Sequence, residues 1–164
     1  LNFQESAMKV YLIHHANALK AEQDPGRHLS ETGREECARL GAHLKAAGAS
    51  LARILHSDMQ FSLESAERIA EALGQADRTA LAGYPCNTGH DIAPFIAEIV
   101  ASNGDIMMVG HSDFLVRTAS KLLCGDETAR VIEFKPGNAT TFCIERDGDD
   151  WVLTYAWRLE HLAA

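Results

Sequence analysis

Three histidine-bearing segments each follow a short apolar run: His14-His15 after Val10 to Ile13, His56-Ser57-Asp58 after Ile54 and Leu55, and Gly110-His111-Ser112 after Ile106 to Val109. Runs of that length, bounded by polar residues, fit strands buried on both faces. In an open α/β sheet, ligands bind beyond the carboxyl ends of parallel strands, so these segments are expected to deliver imidazoles to one edge. One histidine at a strand end is more often a satisfied structural residue than a catalyst, but convergence of several favours function. Neutral imidazole is a nucleophile and a proton carrier near neutral pH. Helix N-termini are expected after the second and third segments, placing Ser57 and Ser112 where backbone N–H groups and the positive dipole end favour an anion. A phosphate-sized anion suits that edge.

The elements that must position these residues follow from hydrophobic period. Cys37, Leu40, Leu44 and Ala47 recur at helical spacing, as do Ala66, Ile69, Ala70 and Leu73, and again Ile92, Phe95, Ile96, Ile99 and Val100. Thr32 with Glu35 reads as a capping box for the first helix, while Gly48 and Gly74 stand where C-terminal caps belong. A fourth helix is expected from about Phe114 to Leu123, ending at Gly125. Beyond it the pattern turns to strands, at Val131 to Phe134, Thr140 to Glu145 and Trp151 to Trp157, the last two joined through the turn Asp147-Gly148-Asp149. Gly83 to Gly89 reads as an irregular loop. The expected fold class is therefore α/β, a three-layer αβα sandwich around a central mixed, mostly parallel sheet.

Composition narrows the function classes. The chain has 164 residues, 46% hydrophobic and 23% charged, which excludes disorder, collagen and coiled coil. Leu1 to Ala7 read as the remnant of an expression tag ahead of a start at Met8, leaving 8–164 as one domain. A net charge of -8, with no run of Lys or Arg, argues against a nucleic-acid partner, which demands a basic stripe. Lack of a long apolar run argues against a membrane partner, and the expected location is cytoplasmic. Cys37, Cys86, Cys124 and Cys143 show no C-x-x-C spacing and read as reduced thiols, mostly buried. His43 and His161 are expected at solvent-facing or terminal positions, Met107 and Met108 in a core strand, and Trp151 and Trp157 in hairpin packing.

Taken together, His14-His15-Ala16, then Arg27-His28-Leu29-Ser30, then Leu55-His56-Ser57-Asp58, then Val109-Gly110-His111 resemble the histidine phosphatase superfamily, in particular its compact SixA-type phosphohistidine phosphatases. The resemblance spans nearly all of residues 8–160 and implies a phosphoglycerate mutase-like fold. In that family the corresponding segments read Arg-His-Gly, Arg-Pro-Leu-Thr, Ser-Ser-Pro followed shortly by an Arg, and Gly-His. It implies that His15 accepts the phosphoryl group and that His111 belongs to the catalytic pocket. His14, Arg27, Ser57 and Ser112 would then bind phosphate, with Asp58, Phe61, His90 and Asp91 at its margin. The implied partner is a phosphorylated protein or small phosphomonoester. No cofactor and no metal is called for.

This sequence departs from that pattern where it matters for an anion. His14 stands for the first-strand arginine, Ala16 for the glycine, Asp58 for the proline and Phe61 for the second pocket arginine. Arginine donates two parallel hydrogen bonds and keeps its proton, which histidine and lysine do not reproduce. At about 1.5–3 kcal/mol per charged hydrogen-bonding group, losing two weakens phosphate binding by about 3–6 kcal/mol. Arg27 is the best remaining cation and Lys20 a distant second, whereas Arg117 is expected in an exposed salt bridge. Protonated His14 would replace part of the lost charge, predicting a weak, acid-favoured site. Asp58 either points inward, against an anion, or caps the second helix.

Three readings follow: an impaired SixA-like phosphatase, an inactive pseudo-phosphatase that binds a phosphorylated or acidic partner, and a His-rich metal site. The last would draw on His14, His15 and His111 with Asp58, His56, His90 or Asp91, but no short H-x-x-x-H or H-x-H spacing supports it.

Overall fold

A computed structural model describes residues 7–161. Apart from Ala7, the segment read as a tag remnant lies outside the described residues, as does the side chain of His161. The elements are β1 (Lys9–His14), α1 (Glu31–Ala46), β2 (Leu51–His56), α2 (Gln60–Leu73), β3 (Thr79–Leu81), α3 (Ala93–Ala101), β4 (Asp105–Gly110), α4 (Ser112–Cys124), β5 (Thr141–Asp147) and β6 (Asp150–Trp157). They build a six-stranded sheet in the order β3-β2-β4-β1-β5-β6. The neighbours β3, β2, β4 and β1 run parallel, and β5 and β6 add antiparallel pairings, so the sheet is mixed.

Alternation along each strand creates the two outer layers. Tyr11 and Ile13 of β1 face Cys37, Leu40, Leu44, Ala66 and Ile69 of α1 and α2. Val10 and Leu12 face the other way, onto Phe95 and Ile99 of α3 and Phe114 and Leu115 of α4. Helices α1 and α2 meet closely at Gly41, where a Cβ would lie 2.5 Å from the Ala72 Cβ and 2.7 Å from the Ile69 carbonyl oxygen. Glycine there permits a backbone approach that alanine would block.

Register brings the histidine segments level. His14 pairs with Gly110, His56 pairs with Val109, and the His15 N–H donates to the Gly110 carbonyl at 3.0 Å. The long β1–α1 connection then folds back on itself through a bridge between Ala18 and Leu29. Its ends are tied to α2, because the Ala16 N–H donates to Ser65 Oγ at 3.0 Å and the Leu29 N–H to Glu64 Oε2 at 2.9 Å.

Two sequence expectations are corrected, and one strand lies where no element was expected. Ser30, not Thr32, caps α1: its Oγ accepts from the Gly33 N–H at 3.0 Å, since the helix begins at Glu31 and the capping oxygen must precede it. Val131 to Phe134 do not form a strand. They keep the two-residue alternation, burying Ile132 and Phe134 while Val131 stays exposed, but the Val131 N–H donates to Ser120 Oγ of α4 instead of joining a ladder. The edge strand β3, only three residues long, escaped notice because so short a run carries no readable period. The β5–β6 hairpin and the loop over 83–89 are as expected; Asp147 pairs with Asp150, and Gly148 takes the left-handed conformation at φ +62°. Among the described residues no helix is long and apolar enough to cross a membrane.

Candidate active site

At the carboxyl ends of β1 and β4 the rings of His14, His15 and His111 cluster. Their centroids lie 4.3 Å apart for His14 and His15, 5.3 Å for His15 and His111, and 6.4 Å for His14 and His111. Burial penalises the cation at all three rings and lowers their pKa values. Burial, then the neighbouring His14, brings the His15 pKa down to about 3. His14 is lowered by burial and by His111, and His111 by burial and by Arg27.

Hydrogen bonds fix which nitrogen of each ring is available. A carbonyl only accepts, so the 2.8 Å contact from His15 Nδ1 to the Ala16 carbonyl places the proton on Nδ1 and leaves the Nε2 lone pair free. That is the state a nucleophile requires. His56 is tied the same way, Nδ1 to the Ser57 carbonyl at 2.8 Å, but it lines a cleft with Leu63, Glu67 and Thr79 on the β3 side. His14 Nδ1 meets two opposed demands: the His15 carbonyl at 3.0 Å wants a donor, and the Gly137 N–H at 3.1 Å wants an acceptor. One proton on Nδ1 satisfies only one of them.

The cation of the cluster is Arg27. Its guanidinium carbon sits 4.8 Å from the Phe61 ring centroid, and its Nε donates to the Leu19 carbonyl at 3.3 Å. Phe61 is buried, with its ring 4.2 Å from His15 and edge-on to His111 at 5.2 Å. The Phe61 ring therefore seats Arg27 against the histidines, a cation–π contact. Arg27 adopts φ +51°, a left-handed backbone that non-glycine residues rarely take.

The other expected residues divide. Ser57 is fully buried and its Oγ lacks a hydrogen-bond partner among the described residues. Ser112 opens α4 directly after His111 and lines a cleft of about 440 Å³ with Asp113, Arg117, Glu127 and Phe134. Asp58 does not cap α2; the cap position is Met59, which makes no side-chain bond, and exposed Asp58 accepts from Asn87 Nδ2 at 2.7 Å. His90 and Asp91 serve their loop. His90 Nδ1 accepts from the Asn87 N–H at 2.9 Å, and Asp91 Oδ1 accepts from the Ala93 N–H at the start of α3. Arg117 is ion-paired with Glu127 at 3.1 Å and Asp113 at 3.7 Å, as expected, but it is partly buried and also donates to the His90 carbonyl at 2.8 Å. Lys20 is exposed on the β1–α1 connection. Among the described residues no three His, Cys, Asp or Glu side chains group to hold a metal ion.

Sequence reasoning missed the segment over His14. Phe134 lies 6.2 Å from the His14 ring, and Gly137 supplies the N–H already described. The turn-forming run Pro136-Gly137-Asn138 was the available signal.

No family model matches the sequence, nor does any curated protein. Solved structures do match. The protein histidine phosphatase SixA complexed with tungstate superposes with a TM-score of 0.76 at 16% identity, covering 92% of this chain and 97% of that one. The mycobacterial glucosyl-3-phosphoglycerate phosphatase in complex with vanadate gives 0.69 at 15% identity, with 93% and 99% covered. A phosphoserine phosphatase mutant from Entamoeba histolytica, in complex with phosphoserine, gives 0.67 at 16% identity, with 95% and 100% covered.

Proposed function

Since the chain has the histidine phosphatase superfamily fold, with phosphoglycerate mutase-like topology, we propose that it takes a phosphoryl group between His15 and His111 and transfers it to His15. The observation that carries this reading is the 5.3 Å separation of those two rings, with His15 Nδ1 anchored so that Nε2 is the free nitrogen. The lone pair of Nε2 forms a bond to phosphorus while the bond to the leaving oxygen or nitrogen breaks, and the leaving group takes a proton from water. Water then attacks the phosphohistidine, the P–N bond breaks, and inorganic phosphate leaves. Arg27 supports developing charge on the phosphoryl oxygens, with the backbone N–H groups that open α4.

The substrate is a phosphohistidine or a small phosphomonoester, turned over slowly because Phe61 and His14 provide no guanidinium. Nitrophenyl phosphate and a phosphohistidine peptide test this directly. Slow phosphate release that disappears in His15→Ala, and rises in the double variant His14→Arg with Phe61→Arg, is the expected result. Release that is equally fast in His15→Ala refutes it.

A second reading rests on Phe61, only 1% exposed and wedged against both histidines. On that reading the protein binds a phosphorylated partner without turnover. Tungstate binding in calorimetry, with no phosphate release from either substrate, selects it.

A further inference from the structure

The sheet ends at two unequal edges. β3 has three residues, whereas β6 has eight and pairs on its outer side with no strand among the described residues. An edge of that length offers a row of free backbone N–H and C=O groups, and edge strands normally carry charges or proline that discourage pairing. From Trp151 to Trp157 this strand has neither. Val152, Leu153 and Tyr155 are 41%, 43% and 47% exposed, three of the seven exposed large hydrophobic residues described. The one discouraging device is a bulge at Thr154, between the pairings of Cys143 and Ile144, which leaves regular stretches on both sides.

We propose that β6 pairs antiparallel with β6 of a second copy of this chain, joining two six-stranded sheets across a two-fold axis. Charge favours this occupant and this sense, because three aspartates outnumber the exposed Arg146 at the start of β6. Asp147, Asp149 and Asp150 gather where β6 begins, and Arg158 follows its end, all exposed. Antiparallel self-pairing sets the acidic start of each strand beside Arg158 of the second copy, while a parallel arrangement sets acid against acid. Apolar rows continue across the junction. The register with β5 puts Val152, Tyr155 and Trp157 on one face and Trp151, Leu153 and Ala156 on the other. Tyr155 and Trp157 already stack at 5.3 Å, offering the second copy an aromatic row of the kind that stabilises cross-strand pairs.

A junction of one strand pair is smaller than a standard protein interface, so association sets in at roughly micromolar concentration or above. Sedimentation equilibrium of the full chain is expected to show 17.9 kDa when dilute, rising toward twice that mass as concentration increases. Leu153→Lys with Tyr155→Lys, both at exposed positions, abolishes the rise while circular dichroism stays native. Arg158→Asp weakens it, and adding Asp149→Lys and Asp150→Lys restores it. A mass fixed at 17.9 kDa up to the highest soluble concentration overturns the proposal. So does a dimer indifferent to the lysine pair or to the charge exchange.

Discussion

Lowering the pH from 7 to 5 is expected to destabilise this fold through its histidine cluster, by an amount that follows from His15 alone. In the folded chain burial, then His14, brings the His15 pKa from 6.5 to about 3, whereas the unfolded chain takes up the proton near 6.5. The folded state therefore loses ground as pH falls through 6.5, and the loss levels off only near 3. For one such group the cost at pH 5 relative to pH 7 is about 2 kcal/mol, and the near-complete burial of the ring leaves little solvent screening to reduce it. His14 and His111 shift in the same direction and add to the loss. In a domain of this size about 2 kcal/mol corresponds to roughly 4–8 °C of Tm. Thermal unfolding at both pH values, for the parent and for His15→Asn, isolates the group: the parent's drop is expected to exceed the variant's by that margin. Equal drops would refute the reasoning, because His15 would then titrate alike in both states.

Two further outcomes follow from the same region. Phe61→Leu removes the ring face beneath Arg27, and a cation–π contact of about 0.5–2 kcal/mol predicts tungstate affinity weaker by roughly 2- to 30-fold, read by calorimetry. Phe61→Tyr retains the parent affinity; if Phe61→Leu also does, the Leu19 carbonyl alone positions the guanidinium. Gly33→Ala would place a Cβ 2.0 Å from the Asn17 carbonyl oxygen, and urea unfolding is expected to show a loss of about 3 kcal/mol or more. An unperturbed midpoint would mean that the β1–α1 connection yields freely.

The parallel core of the fold was legible because β1, β4 and the Ile54–Leu55 stretch of β2 are buried on both faces, and such strands announce themselves as short apolar runs. The convergence of His15 and His111 was legible for the same reason, since strand ends locate themselves once the strands are found. What failed depended on partners distant in sequence. Val131 to Phe134 alternate as a strand does, but alternation reports burial, and only a neighbouring ladder makes a strand of it. Asp58 had the right type and place to cap α2, yet Asn87, nearly thirty residues away, took its carboxylate. The role of Phe61 as a seat for Arg27 had no local signature. A buried phenylalanine on a helix is ordinarily core, and the cation reaches it from the far end of the β1–α1 connection.

The left-handed backbone at Arg27 places durability and purpose in opposition. A residue with a Cβ pays roughly 1–2 kcal/mol to stay in that conformation, a penalty that glycine escapes. Arg27→Gly would thus relax the connection and delete the guanidinium in one stroke, so the strain relieved is set against the lost contacts with Phe61 and the Leu19 carbonyl. A strained backbone kept at the residue that carries the guanidinium is what the proposed phosphoryl site would require of this connection.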